Sequence, residues 1–207
     1  NSQISILTGK FDADTTDEAS GVDRGAVYDR QNDTYQVVEP FAAGTDRRSY
    51  ITDINNLNDI VGFADKEVGE TIQIASYIAS ASDLSVKTEI ETIDNRAIFA
   101  MAINDSKEVV GSMFIPNTRG QREAFYIDMA DTNPQIQFLG FLNSSFNDSR
   151  AKDINNQGQI VGRALISAPT LGETGAVLYE NNEMKNLNDL IACDSGWILT
   201  EARAIND

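Results

Sequence analysis

Apolar and polar positions alternate in short bursts along this chain, and the same burst returns at a fixed interval. Residues 53–62 read Asp-Ile-Asn-Asn-Leu-Asn-Asp-Ile-Val-Gly, 102–111 read Ala-Ile-Asn-Asp-Ser-Lys-Glu-Val-Val-Gly, and 153–162 read Asp-Ile-Asn-Asn-Gln-Gly-Gln-Ile-Val-Gly. A fourth copy begins at Ala204-Ile205-Asn206-Asp207, where the sequence stops. The aligned isoleucines at 54, 103, 154 and 205 are 49, 51 and 51 residues apart. A period of that size is the mark of a repeat architecture.

Within each copy an Ile- or Val-containing run, a polar cluster and a second β-branched run form the pattern of a β-hairpin. Asn55, Asn104, Asn155 and Asn206 stand at the start of the turns. An Asn side chain there can bond the backbone two residues on, and it tolerates left-handed dihedrals. Gly62, Gly111 and Gly162 interrupt the second strand at one point, which predicts a bulge or a close backbone approach. A second block places a tyrosine at 28, 77, 126 and 179, each followed by a polar turn and another extended run at 35–38, 85–93, 136–139 and 184–187. The four tyrosines are expected to share one packing position.

The unit is then four strands in about 50 residues, the signature of a propeller blade. No segment carries an apolar stripe at helical spacing over a helix's length; residues 72–81 read as well as a long strand. The expected fold is all-β and β-propeller-like, a single domain over residues 1–207 with four repeat units of about four antiparallel strands. Ile54, Ile103, Ile154 and Ile205 are expected to be buried at equivalent places. Residues 199–207 supply a first strand and residues 3–7 a second, so pairing of 4–7 with 199–205 would close a ring; the alternative is a piece of a longer repeat protein. The acidic stretch 9–23 reads as a long loop.

Composition narrows the chemistry. The chain has 207 residues, 16 Lys+Arg against 32 Asp+Glu, and a net charge of −16. That balance opposes nucleic acid and anionic membranes, and Arg47 and Arg48 form the only basic patch local in sequence. The longest apolar run, 97–103, is too short to span a bilayer. There is no initiator Met and no signal-peptide pattern, as in a mature or trimmed chain. Cys193 is the single cysteine and cannot form an internal disulfide. The one tryptophan, Trp197, is read as filling a gap between sheets, with a ligand contact as its other reading.

No histidine is present, which removes the commonest general base and metal ligand. The Asp53, Asn55, Asp59 spacing invites comparison with a calcium loop but fails at Leu57, Ala64 and Ala102. No metal or cofactor is therefore expected, and no catalytic residue is assigned. A pair of carboxylates of the kind that cleaves glycosidic bonds stays open, since sequence does not show which acids converge.

Two stretches resemble the HAF-repeat family of bacterial extracellular proteins: Glu123-Ala124-Phe125-Tyr126, and the run from Ser149 through Ala151, Ile154 and Asn155 to Gly162. The segment 175–207, with Asn186-Leu187-Asn188-Asp189-Leu190, is similar to a whole unit of that family. The namesake His is replaced by Gly25, Glu123 or Gly175. The resemblance implies an extracellular or cell-envelope bacterial protein with no established catalytic residues to carry over. Two functions follow as expectations. One is a non-enzymatic binding or scaffold module for a protein or glycan; the other is a carboxylate-dependent hydrolase or lyase acting on an extracellular polysaccharide.

Overall fold

A computed structural model describes residues 4–11, 22–42, 47–94, 96–167 and 172–207. Its strands are β1 (Ile4–Phe11), β2 (Val22–Asp29), β3 (Thr34–Val37), β4 (Ser49–Ile54), β5 (Asp59–Val68), β6 (Thr71–Ser80) and β7 (Asp83–Glu89). They continue as β8 (Ile98–Ile103), β9 (Glu108–Phe114), β10 (Arg122–Asp128), β11 (Gln137–Gly140), β12 (Ser149–Ile154), β13 (Ile160–Leu165), β14 (Thr174–Glu180) and β15 (Glu183–Asn186). One 3-10 turn, Leu187–Leu190, follows. The fold is all-β, and the described residues form three four-stranded sheets, β4–β7, β8–β11 and β12–β15, and one three-stranded sheet, β1–β3, each running in sequence order.

Contacts cluster into two compact units, Asn1–Thr92 with Ala97–Ala100, and Ile93–Arg96 with Met101–Asp207. The first is built on Val27, Val38, Ile51, Ile60, Tyr77 and Leu84. The second is built on Ala102, Val110, Ala124, Ala151, Ile154 and Ile160.

The expected hairpins are present, and their chemistry repeats. Asn55 Oδ1 accepts from the N–H of Leu57 and Asp59 at 3.0 and 2.8 Å. Asn104 accepts in the same way from Ser106 and Glu108, and Asn155 from Gln157 and Gln159. The left-handed residue is not this Asn but the one three places on: Asn58, Lys107 and Gly158 have φ of 64°, 64° and 76°. Turn and side chain thus satisfy one another locally, which is why a five-residue pattern suffices to specify them.

The glycine after Val is required by close approach in the β4–β5 and β12–β13 hairpins. A Cβ on Gly162 would lie 2.0 Å from the Arg150 carbonyl oxygen, and one on Gly62 1.9 Å from that of Tyr50. Both glycines lie opposite a register shift in the first strand, between Ile51 and Asp53 and between Ala151 and Asp153. Fully buried serines open those same strands. Ser49 Oγ donates to the Val38 carbonyl and accepts from Gly25 N–H; Ser149 Oγ donates to Gly140 and accepts from Ala124.

Several expectations change. Ile54, Ile103 and Ile154 each end a first strand, and the last two are buried while Ile54 is half-buried. Ile205 is half-buried and lies in no strand; its N–H donates to Asp153 Oδ2 at 2.7 Å. Residues 4–7 pair with β2. Residues 199–205 lie in no strand and bond through Leu199 O to Ala176 N–H and through Ala202 N–H to Gly162 O. The tyrosines do not share one position. Tyr77 lies opposite Gly62, whereas Phe125 and Val177 lie opposite Gly111 and Gly162. Tyr126 is therefore shifted by one residue and Tyr179 by two, and a shift of one reverses the face of a strand. Residues 72–81 are strand, and of the stretch 9–23, Gly9 to Phe11 and Val22 to Asp23 are strand while 12–21 lie outside the described residues.

Candidate functional site

The second unit holds an open cavity of about 540 Å³. It is lined by Arg119, Gly120 and Gln121 from the β9–β10 loop, Asp148 and Arg150 at the start of β12, Arg163 and Leu165 of β13, and Gly172 and Thr174 leading into β14. Gly120 and Gly172 have left-handed φ of 86° and 67°, a conformation that favours glycine.

Three arginines therefore wall one cavity of a chain whose net charge is −16. Arg150 and Arg163 lie directly opposite each other across the β12–β13 ladder. Like charges so placed destabilise a sheet. The corresponding pair in the β4–β5 ladder is Tyr50 and Phe63, whose rings sit 5.0 Å apart. Asp148 offsets part of the repulsion: its carboxylate accepts from Arg150 Nε and Nη2 at 3.2 and 3.3 Å and from the Arg122 backbone N–H at 3.1 Å. A fourth guanidinium, Arg122, stands next to the group with its charge 4.5 Å from the centre of the Phe114 ring. Burial lowers its pKa, and the charges of Arg150 and Arg163 lower it further against the pull of Asp148. On the far side of Arg163, Glu201 gathers Arg203 Nε at 2.8 Å, Lys152 Nζ at 3.4 Å and Arg163 Nε at 3.7 Å. Burial works to raise the Glu201 pKa, but these cations outweigh it and hold the carboxyl below its ordinary range.

A smaller cavity of about 290 Å³ is lined by Glu108, Tyr126, Gln137, Tyr179 and Glu180 among others. Its two carboxylates are already engaged. Glu108 accepts from the Tyr126 hydroxyl at 2.7 Å and from Asn104 Nδ2. Glu180 accepts from Gln159 and Lys185, and those bonds lower its pKa.

The sequence-predicted residues fall elsewhere. Asn104 and Asn155 are buried in a ladder that links successive turns: Asn104 Nδ2 donates to the Asn155 carbonyl and Asn155 Nδ2 to the Asn206 carbonyl, each at 3.1 Å. Asn55 Nδ2 donates to Asp59 Oδ2, and Asn206 itself is exposed. Trp197 does not fill a gap between sheets; it is 75% exposed, on the loop leading away from the 3-10 turn, and it lines neither cavity. Its loop is pinned just beyond it, where Asn188 Nδ2 donates to the Leu199 carbonyl and Asn188 Oδ1 accepts from Leu199 N–H. Cys193 is exposed and forms no disulfide among the described residues.

The family described as "Protein of unknown function (DUF3466)" matches residues 69–206, about two thirds of the chain. The chain belongs to the DUF3466 family. This corrects the resemblance to HAF repeats. The residues that carried the resemblance, Ser149, Ile154, Asn155 and Gly162, are those that hairpin and close-approach geometry demand, so they report the scaffold and not the lineage. The extracellular location that the resemblance implied then rests on no observation of this chain. No curated protein matches the DUF3466 chain. Among solved structures, the β-propeller domain of the Trilobed protease from Pyrococcus furiosus, described as having an open velcro topology, is similar at a TM-score of 0.49 and 12% identity. That similarity covers 79% of this chain and 45% of that one, so the chain spans less than half the length of the protein it matches.

The arginine group is what reading the sequence missed. Arg119 and Arg122 are three residues apart, but Arg150 and Arg163 come from other strands, so no window of sequence contains the group. The one available signal was positional. Arg150 stands four residues before the repeat isoleucine and Arg163 one after the repeat glycine, where the β4–β5 hairpin has Tyr50 and Phe63.

Proposed function

We propose that this chain is a non-catalytic binding module, and that a group of its protein or glycan partner enters the cavity between the β9–β10 loop and strands β12 to β14. The observation that carries this reading is the chemistry of the cavity wall: three guanidinium groups and one carboxylate that is itself held by Arg150 and the Arg122 backbone. Cleavage of a glycosidic bond requires two carboxyl groups flanking the bond, one of them kept protonated by a raised pKa. Among the described residues lining this cavity Asp148 is the one carboxylate, and in the smaller one Glu180 is shifted in the opposite direction. A size of about 540 Å³ is that of a site for a small ligand or for one residue of a larger partner.

The test is an NMR screen of mono- and oligosaccharides, sugar acids and short peptides, reading amide shifts across the chain. Shifts centred on Gln121, Arg150 and Thr174 are expected. Cleavage of any polysaccharide by the purified chain, abolished in Glu108→Gln or Glu180→Gln, would replace the binding module with an enzyme.

A further inference from the structure

We infer that the group entering this cavity is an oxyanion, a carboxylate or a phosphoryl group, held by the guanidinium groups of Arg119, Arg150 and Arg163. The inference rests on the binding-module reading and names the chemistry of its ligand.

Arg150 and Arg163 are cross-strand neighbours, so the fold itself forces two positive charges together. Their side chains are only 26% and 30% exposed, which limits how far water can screen the repulsion. Asp148 accepts from Nε and Nη2 of Arg150, and Glu201 only faces Arg163 Nε as an ion pair at 3.7 Å; a guanidinium has five N–H donors, so neither acid uses up its arginine. Arg119 reaches the same cavity from an exposed loop. Planar guanidinium groups present paired N–H donors at the spacing of carboxylate and phosphoryl oxygens, which is why arginine predominates in such sites. A surplus of cations does not explain the cluster, because acids outnumber bases two to one in this chain. Core packing does not explain it either, since the same ladder position holds an aromatic pair in the β4–β5 hairpin.

The test uses three probes of one shape, glucuronate, glucose 6-phosphate and glucose, titrated into the whole chain. The arginine Nε–H resonances and the cavity amides are the readout. The expected result is saturable shifts of the Arg119, Arg150 and Arg163 resonances with one or both acids and none with glucose. Binding of glucuronate alone identifies a carboxylate ligand, glucose 6-phosphate alone a phosphoryl ligand, and both the shared oxyanion chemistry. Arg163→Gln should weaken the acid at least tenfold, since a charge-assisted bond contributes about that factor or more. Arg119→Gln, in an exposed loop, should do the same with no change in melting temperature, which covers the case in which the Arg163 variant fails to fold. Glucose binding as tightly as the acids would overturn the oxyanion inference while leaving the binding module standing. Acids that shift none of the three arginines, or that bind both variants as tightly as the parent, would overturn the inference as well. Silence in this titration and in the wider ligand screen together would remove the binding module itself.

Discussion

Asn155 offers the sharpest test of how the repeat is held. Its side chain makes four hydrogen bonds: Oδ1 accepts from Gln157 and Gln159 N–H at 3.1 and 2.9 Å, and Nδ2 donates to Gln159 Oε1 at 2.8 Å and the Asn206 carbonyl at 3.1 Å. The residue is 4% exposed. Its neighbour Asn156 has a comparable set, accepting from Asp105 N–H and donating to Asp105 and Asp207 carboxylates, but it is exposed. A buried neutral hydrogen bond contributes about 1 kcal/mol net, and buried donors left unmade cost more than the mean, so Asn155→Ala should lose about 2–4 kcal/mol. For a chain of this size that is a fall in melting temperature of roughly 5–15 °C. Asn156→Ala should lose less than about 1 kcal/mol, since water replaces its partners. Chemical denaturation and thermal melts of both variants give the numbers, and hydrogen exchange should show Gln157 and Gln159 amides deprotected only in the first. Equal losses in the two variants would mean that bond count and not burial sets the cost, and the ladder would lose its special place.

Three further outcomes follow from the same geometry. Gly162→Ala drives a Cβ to 2.0 Å from the Arg150 carbonyl oxygen and should cost about 3 kcal/mol or more by urea denaturation; a loss under about 1 kcal/mol would show that β12 can shift away. Lys107 and Gly158 occupy one turn position with φ of 64° and 76°, so Lys107→Gly should gain up to about 1 kcal/mol and Gly158→Ala lose about as much, and a matching sign for the two would refute the shared strain. Glu201, with its pKa below the ordinary 4.5, adds stability that is complete above that pH and is lost as pH falls through the lowered value; Glu201→Gln should be less stable at neutral pH, with the two stability curves converging on acidification.

What the sequence revealed was whatever is settled within a few neighbouring residues. An Ile, an Asn and a Gly in a ten-residue window specify a hairpin because the turn's donors, its acceptor and its close approach all lie inside that window. The tyrosine alignment failed at the next scale. A strand reads with period two, and counting from Tyr to Tyr ignored that Gly62, Gly111 and Gly162 lie opposite Tyr77, Phe125 and Val177. The gap-filling reading of Trp197 failed because sequence does not say which side of a loop a ring takes, and here it takes the solvent side. The cavity lay furthest from view, since its arginines meet only after two hairpins have folded and the β9–β10 loop has come over them.

The repeat also separates scaffold from function by position. Turn asparagine and the glycine after Val recur in all three hairpins, and a buried serine opens two of their three first strands. The ladder pair between them is free to differ. In the β4–β5 hairpin it is Tyr50 and Phe63, with Phe63 further packed edge-on against Phe99 at 5.2 Å, an arrangement that stabilises by about 0.5–1.5 kcal/mol per ring pair. In the β12–β13 hairpin it is Arg150 and Arg163, which forgo that gain and repel each other. An oxyanion between them would reverse the sign of that contribution, and linkage then requires the occupied chain to be the more stable one. The melting temperature should therefore rise with the concentration of a bound acid, and the rise should vanish when Arg150 and Arg163 are replaced together by Tyr and Phe.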